Sequence, residues 1–388
     1  MHIIYTGEPF PKKVSKSMFL AGPTPRSKDV KSWRVPDALD ILRKLNYGGH
    51  VFVPEWREGP AAEKDFNYEG QIDWETEGLN RADIIVFWVP RELVSMPAFT
   101  TNVEWGIWAD SGKVVFGAPP GAPKNIYLKL MAEKLKVPQF ETLKETLAYT
   151  VDYLGDGAER TGGECKIPLY IWNTELFQKW YKNILEAGNR LENTKVLWTD
   201  RRGPKNDLIL AWGIKAKIYI ASENRYKTND IVITRRDIST VILWQKKTNL
   251  LDSEIIMIKE FRSPGRTPDG FIHEFPGGST PKDGVVPLDI AQEEVFEETG
   301  IHFEKSRFKF FCSRQLAGTF SAHHSYLFAV ELTDREMNQY KQNRGVPHVD
   351  DDLSERTYIE VKTLKEIISE QLADWSTLGM ILQVISEN

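Results

Sequence analysis

The sequence predicts an α/β chain: a doubly wound parallel sheet, then a second domain of mixed α+β type. Three observations carry this expectation. Up to about residue 154, short apolar runs alternate with helix-period segments, the pattern of parallel strands covered by helices on both faces. Residues 155–166 are rich in glycine and nearly free of large apolar residues, as a linker would be. Beyond them, strand candidates stand apart and a single strong helical stretch interrupts them. A chain of 388 residues has room for two domains at roughly 150 residues each. The expected division is 1–154, a linker at 155–166, and 167–388.

In chain order, Ser17–Ala21 reads as a buried strand ending at the turn Gly22-Pro23. Helical periodicity follows over 36–45. Val51–Val53 is a second strand, stopped by Pro54. A helix over 69–82 runs into Asp83–Trp88, the third strand. A loop with two prolines leads to a helix over about 101–111, and Lys113–Gly117 is the fourth strand. In such sheets a site lies outside the carboxyl ends of the strands. The second domain offers strands at 217–221, 230–234, 240–244, 254–258 and 325–330, a helix over 287–299, and a helical last stretch of about 25 residues.

Composition narrows the function. The chain is 41% hydrophobic and 27% charged, which suits packed cores and not disorder. Fifty basic against 55 acidic residues give a net charge of −5, with no electrostatic case for nucleic acid or an anionic membrane. No apolar run reaches the ~18 residues a membrane span needs, and the first residues lack the order of a signal peptide. Two cysteines, Cys165 and Cys312, make neither a disulfide framework nor a four-ligand zinc site. A cytoplasmic, soluble protein is expected. Its 12 tryptophans fit packing first, with base stacking as a minority use.

The first candidate for chemistry is Glu104, early in the helix that follows the third strand. Its apolar neighbours should raise its pKa, and a carboxylate there could attack an anomeric carbon. The alternative is structural, because Thr101-x-x-Glu104 also matches a capping box.

The stretches Phe19-Leu20-Ala21-Gly22-Pro23, Trp74 to Trp88 (WETEGLNRADIIVFW) and Pro97 to Gly106 (PAFTTNVEWG) resemble the nucleoside 2-deoxyribosyltransferase family, in the family's order. The resemblance covers most of 17–120 and implies a flavodoxin-like fold. It also implies a covalent deoxyribosyl intermediate on Glu104, help with the leaving base from Asp83, and no cofactor for the glycosyl chemistry. An oligomer of identical chains is implied as well. One position departs: the acid that better-known members carry six residues before the nucleophile is here Ala98. Gly22, Thr101 and Asn102 are the expected substrate-binding residues. Thr100, Thr101 and Asn102 open a helix, where a 5′-phosphate would be favoured.

The second candidate is the acidic helix after Gly277-Gly278. Glu294, Glu297 and Glu298 stand at i, i+3 and i+4, on one face, and repel one another unless a cation compensates. A glutamate-rich solvated face is the other reading. With Glu297-Glu298-Thr299-Gly300-Ile301, this stretch resembles the Nudix box (G-x5-E-x7-R-E-U-x-E-E-x-G-U), which implies a mixed-sheet α/β/α sandwich and Mg2+ on those three glutamates. Glu293 stands where the box has arginine, Val285 where it has its first glutamate, and the spacing is one residue longer. Upstream, Glu260-Phe261-Arg262 and Phe271 to Gly278 look similar to the ADP-ribose pyrophosphatase branch, with Arg262 as a phosphate contact. His323-His324 reads as a strand-end feature, and Asp350-Asp351-Asp352 as a solvated turn or a late general base.

Together these imply a bifunctional enzyme of nucleotide metabolism acting on small-molecule nucleosides and nucleotides. One half would cleave or transfer at the N-glycosidic bond of a 2′-deoxynucleoside or its monophosphate. The other would hydrolyse a nucleoside-diphosphate-linked compound with magnesium. A C-terminal module that senses a nucleotide and regulates the first half is the competing expectation.

Overall fold

The computed structural model describes residues 1–27, 29–57, 68–345, 347–349 and 356–387. Asp350, Asp351 and Asp352 lie outside the described residues. The chain forms two compact units, Met1–Ile233 and Thr234–Asn388.

The first unit opens with β1 (His2–Tyr5), the short β2 (Lys13–Val14) and β3 (Ser17–Ala21). Next come α1 (Leu39–Lys44), β4 (His50–Val53), α2 (Tyr68–Arg81) and β5 (Ile84–Trp88). Then follow α3 (Phe99–Trp108), β6 (Val114–Gly117), α4 (Ile126–Lys134), β7 (Gln139–Phe140) and α5 (Leu143–Leu154). The strands build a parallel sheet in the order β1-β4-β3-β5-β6-β7. Without the edge strand β1, this is the order of a flavodoxin-like fold.

β3 and β5 are buried along their whole length, as central strands covered on both faces must be. Alternation divides their side chains between two cores. Met18, Leu20, Ile84 and Val86 pack with Leu39, Leu42 and Leu147 of α1 and α5. Phe19, Ala21, Ile85 and Phe87 pack with Trp74, Leu79, Trp105 and Leu128 of α2, α3 and α4.

The helix expected over 36–45 is present: Val35 is extended (φ −120°, ψ 118°), helical backbone runs on from Pro36, and it continues as α1. Two elements differ from expectation. The helix expected over 101–111 runs instead from Phe99 to Trp108. Residues 155–166, expected as a linker, are built into the first unit. There β8 (Arg160–Thr161) pairs with β2, and Arg160 and Cys165 are buried.

The same unit continues through α6 (Leu169–Trp172), α7 (Glu175–Glu186), β9 (Arg190–Arg202) and β10 (Leu208–Ile220), and reaches its end within β11 (Arg225–Arg235). These strands form an antiparallel sheet in the order β11-β10-β9, whose core joins Phe177 and Tyr181 to Trp212 and Ile214. β9 escaped the sequence reading because much of it is polar and exposed.

The second unit contains β12 (Ile238–Gln245), β13 (Glu254–Phe261), β14 (Phe271–Glu274), β15 (Gly277–Gly278) and α8 (Pro287–Thr299). It continues with β16 (Lys309–Gln315), β17 (His324–Glu331), α9 (Asp334–Gln342), β18 (Pro347–Val349), β19 (Arg356–Thr363), α10 (Leu364–Ser369) and α11 (Trp375–Ser386). The sheet is mixed: β12 runs parallel to β17 and antiparallel to β13. Val241 and Leu243 face α8 and α9, whereas Ile242 and Trp244 face α10 and α11. The result is a mixed sheet between two helical layers.

Candidate functional site

Beyond the carboxyl end of β5, the chain crosses the sheet edge and enters α3. Ala98 begins that helix in the left-handed region (φ 60°) and supplies no side-chain cap. Thr101 therefore lies inside the first turn, not at its start. Its hydroxyl is buried and has no hydrogen-bond partner among the described residues. The capping-box alternative for Glu104 thus fails, because the residue that would be capped is already helical.

Glu104 is partly buried and faces a cleft of about 970 Å³ between α2, α3 and β9, all within the first unit. Thr24, Tyr68, Glu75, Trp108 and Trp198 are among the residues lining it. Burial pushes the Glu104 carboxyl up to about 8; the neighbouring charge of Glu75 adds to this, and the Arg34 guanidinium opposes it. Glu75 is itself raised by burial, while an N–H from Gln71 donated to its Oε1 at 2.7 Å favours the ionised form.

Arg34 is almost fully buried. It donates to the carbonyls of Leu20 (2.8 Å) and Gly22, to the Thr24 hydroxyl (3.1 Å) and to Glu55 (2.8 Å). It thereby fixes the turn after β3, and although it does not line the cleft, its buried positive charge is felt by Glu104. Gly22 belongs to this turn: its φ is +148°, and a Cβ there would lie 2.2 Å from the Trp88 carbonyl oxygen. The residue serves backbone packing at the mouth of the sheet.

The other expected residues are placed differently. Asp83 is fully buried at the amino end of β5 and is not among the residues lining the cleft. Its oxygens accept from Ser17 N (2.8 Å), Leu169 N (3.0 Å) and both terminal nitrogens of Arg160 (2.8 Å for Nη2). With its lone pairs so occupied, it acts as a structural anchor and has no path to a leaving base. Thr101 is buried, and Asn102 accepts at 2.6 Å from Arg91, which also holds the Pro97 carbonyl and Asn125. Neither lines the cleft; Thr100 does.

Sequence reading missed Arg34, Glu75, Lys113 and Trp198. Lys113 donates to the carbonyls of Leu79, Asn80 and Ala82 at 2.7–3.0 Å, closing the carboxyl end of α2, and burial lowers its pKa to about 7. The signal available for Glu75 was helical spacing. Gln71, Glu75 and Leu79 recur every fourth residue and line one wall together.

In the second unit, Glu298 accepts from Gly277 N at 3.1 Å. Glu294 lies against Gly278, where a Cβ would be 2.3 Å from its Oε1. Burial and the charges of Glu294, Glu274 and Glu260 hold the Glu298 carboxyl well above the usual range. Glu297 is exposed. Among the described residues, no group of three or more His, Cys, Asp or Glu is placed to hold a metal ion. Arg262, expected at a phosphate, instead meets Glu274 (2.7 Å) and Glu260 (2.9 Å). His324 opens β17, and its Nδ1 lies 3.1 Å from the Ser313 hydroxyl; His323 meets Ser321 at 2.6 Å.

Among the described residues, no helix is long and apolar enough to cross a membrane. No curated protein matches the chain. One family does match, over residues 15–122, and it is described as nucleoside 2-deoxyribosyltransferase like. The match spans β3 to β6 and includes Arg34, Glu75 and Glu104, so the N-terminal part of this chain contains a nucleoside 2-deoxyribosyltransferase-like domain.

Proposed function

We propose that the first unit cleaves or transfers the N-glycosidic bond of 2′-deoxynucleosides or their monophosphates, with Glu104 as nucleophile. The observation that carries this reading is Glu104 itself: a carboxyl on a cleft wall, raised by burial and not used to cap its helix. As the base departs, positive charge grows at C1′. A carboxylate at Glu104 stabilises that charge and then bonds to the carbon. Water or a second base completes hydrolysis or transfer, and no cofactor is needed. The test is mass spectrometry of products from deoxynucleosides, their monophosphates and ribo-counterparts, with wild type beside Glu104→Gln. Released or exchanged base in wild type alone supports the reading; equal activity in both proteins refutes it. Self-association as a homo-oligomer is part of the proposal and is checked by light scattering.

A second reading concerns the second unit: a Nudix-type domain that hydrolyses a nucleoside-diphosphate-linked compound with Mg2+. It is favoured by the repulsion concentrated around Glu298. The oxygen donors suit magnesium, which is commonly held by one or two carboxylates with water and substrate phosphate filling the remaining positions. Glu294 and Glu298 would hold the ion, and exposed Glu297 would remain outside. When bound, magnesium would polarise a phosphoryl oxygen. Arg262 keeps Glu260 and Glu274 oriented beside the pair. Magnesium-dependent cleavage of ADP-ribose, lost in Glu298→Gln, supports hydrolysis. Binding in calorimetry without turnover supports a nucleotide-sensing module instead.

A further inference from the structure

We infer that β9 supplies the base platform of the glycosyl site: the indole of Trp198 takes the flat face of the donor's nucleobase and sets which base is accepted. This rests on the glycosyl reading above and adds the group that selects the base. β9 lies outside residues 15–122, so this wall of the cleft comes from a part of the chain that the family match does not reach.

The placement of Trp198 follows from a break in strand register. On β10, Trp212 and Ile214 join the core of Phe177 and Tyr181, so Gly213 between them points to the opposite face. On β9, Val196 stands opposite Ile214, and Trp198 stands opposite Gly213. Regular alternation would put Val196 and Trp198 on one face, toward the core. Instead the register shifts between Gly213 and Ile214, Leu197 is the extra residue, and Trp198 is turned out of the core. Bulges of this kind re-aim a side chain beside a site. Gly213 then makes the seat. Having no side chain, it lets the indole lie across the strand: a Cβ there would be 2.5 Å from Trp198 Nε1 and 2.7 Å from its Cε2. The ring is backed by the strand yet 42% exposed. Such a surface is already ordered, so stacking on it costs a ligand little entropy.

β9 is also tied to the end of the helix that carries Glu104. Just beyond α3, the Asp110 carbonyl accepts from Arg201 of β9 at 2.7 Å, and the Ser111 carbonyl accepts from the Tyr170 hydroxyl at 2.7 Å. Trp198 and Glu104 thus line one cleft whose walls are bonded together. The other rings of that cleft are less suited to stacking. Lys113 Nζ lies over the Trp108 ring, 4.8 Å from its centroid, and Tyr170 is partly buried with its hydroxyl engaged. Tyr68 is the first residue of α2, where helix ends fray. With C1′ at Glu104, the base is the part of a nucleoside that must meet another wall, and every base has a π-face for an aromatic ring.

The test reads binding and turnover separately. Calorimetry on Glu104→Gln, with and without Trp198→Ala, measures the Kd for deoxyadenosine, deoxyguanosine, deoxycytidine, thymidine and their 5′-monophosphates. Loss of the indole should weaken binding of the tightest of them by about 5–150-fold. The loss should be greater for two-ring than for one-ring bases, and Trp198→Phe should recover most of it. With Glu104 intact, Trp198→Ala should raise KM and change kcat less than about threefold, as when binding is lost equally from ground and transition states. Gly213→Ala, whose Cβ displaces the indole without removing it, should alter the ranking of bases. If Trp198→Ala does not fold, Trp198→Leu, which keeps apolar bulk but has no flat face, is read in the same way. If Glu104→Gln binds none of these compounds, KM with Glu104 intact decides. Affinity unchanged within about twofold, a loss equal for every base, or a fall in kcat at constant KM overturns the platform and leaves Glu104 in place. Wild type that releases no base from any donor overturns the glycosyl reading, and the platform with it.

Discussion

Asp83 and Arg160, 77 residues apart in sequence, form a two-pronged ion pair with no exposed side-chain surface. Removing both charges from water is costly. The arrangement persists because Ser17, Leu169, Ser15 and Ile167 satisfy the remaining hydrogen-bonding atoms. It ties the amino ends of β3 and β5 to the segment that follows α5.

Breaking this pair on one side should be severe. Arg160→Met leaves the Asp83 carboxylate buried without its counter-charge and is expected to cost about 3–5 kcal/mol. Urea unfolding of the full chain measures this; a loss below about 1 kcal/mol would mean that water or another cation reaches Asp83.

The same pair binds the segment after residue 154 into the first unit. A chain of residues 1–233 should unfold cooperatively. A chain of residues 1–154 lacks Arg160, Cys165 and Leu169, which pack or bond against β2, β5 and their core. It should be aggregated or lack a sharp thermal transition. Calorimetry on both fragments checks this, and a cooperative 1–154 would show that the pair is dispensable.

The glycosyl activity should depend on pH through Glu104. Burial pushes the Glu104 carboxyl up to about 8, with Glu75 adding to this and Arg34 opposing it. Only carboxylate Glu104 can bond to C1′, so kcat/KM should rise as pH increases through about 8. Stability follows a related rule. The folded carboxyl binds its proton more tightly than the unfolded one, so Glu104 lowers stability increasingly as pH rises from its unfolded value toward 8. Glu104→Gln should therefore raise the Tm by about 2–5 °C at pH 8.5 and by less at pH 5.

Thr101 offers a check on the amino end of α3. Its buried hydroxyl has no partner among the described residues, so Thr101→Val should leave Tm unchanged or raise it slightly. Activity should change less than about threefold, because the hydroxyl does not line the cleft. A large loss in KM for a monophosphate alone would restore Thr101 as a phosphate contact.

The sequence by itself determined the four central strands of the first unit's parallel sheet, β3 to β6, but not the edge strands β1 and β7. Its strands are continuous apolar runs, its helices have a clear period, and Gly22-Pro23 and Pro54 mark the turns between them. It also pointed to Glu104, because a lone carboxylate among aromatic and aliphatic neighbours stands out along the chain.

Only the tertiary structure decided which other groups belong with it. Glu75 lies on a different helix, Arg34 in an irregular turn, and Trp198 on a largely exposed strand. Nothing in local spacing brings Glu75 and Trp198 to one cleft with Glu104, or the Arg34 charge near it. Asp83 shows the converse: the family resemblance implied a role with the leaving base, but a distant arginine occupies its oxygens. Local periodicity reports which face of an element is buried. The partner of a buried charge depends on long-range packing, because desolvation and Coulomb energy are set by whatever the fold places within a few ångströms.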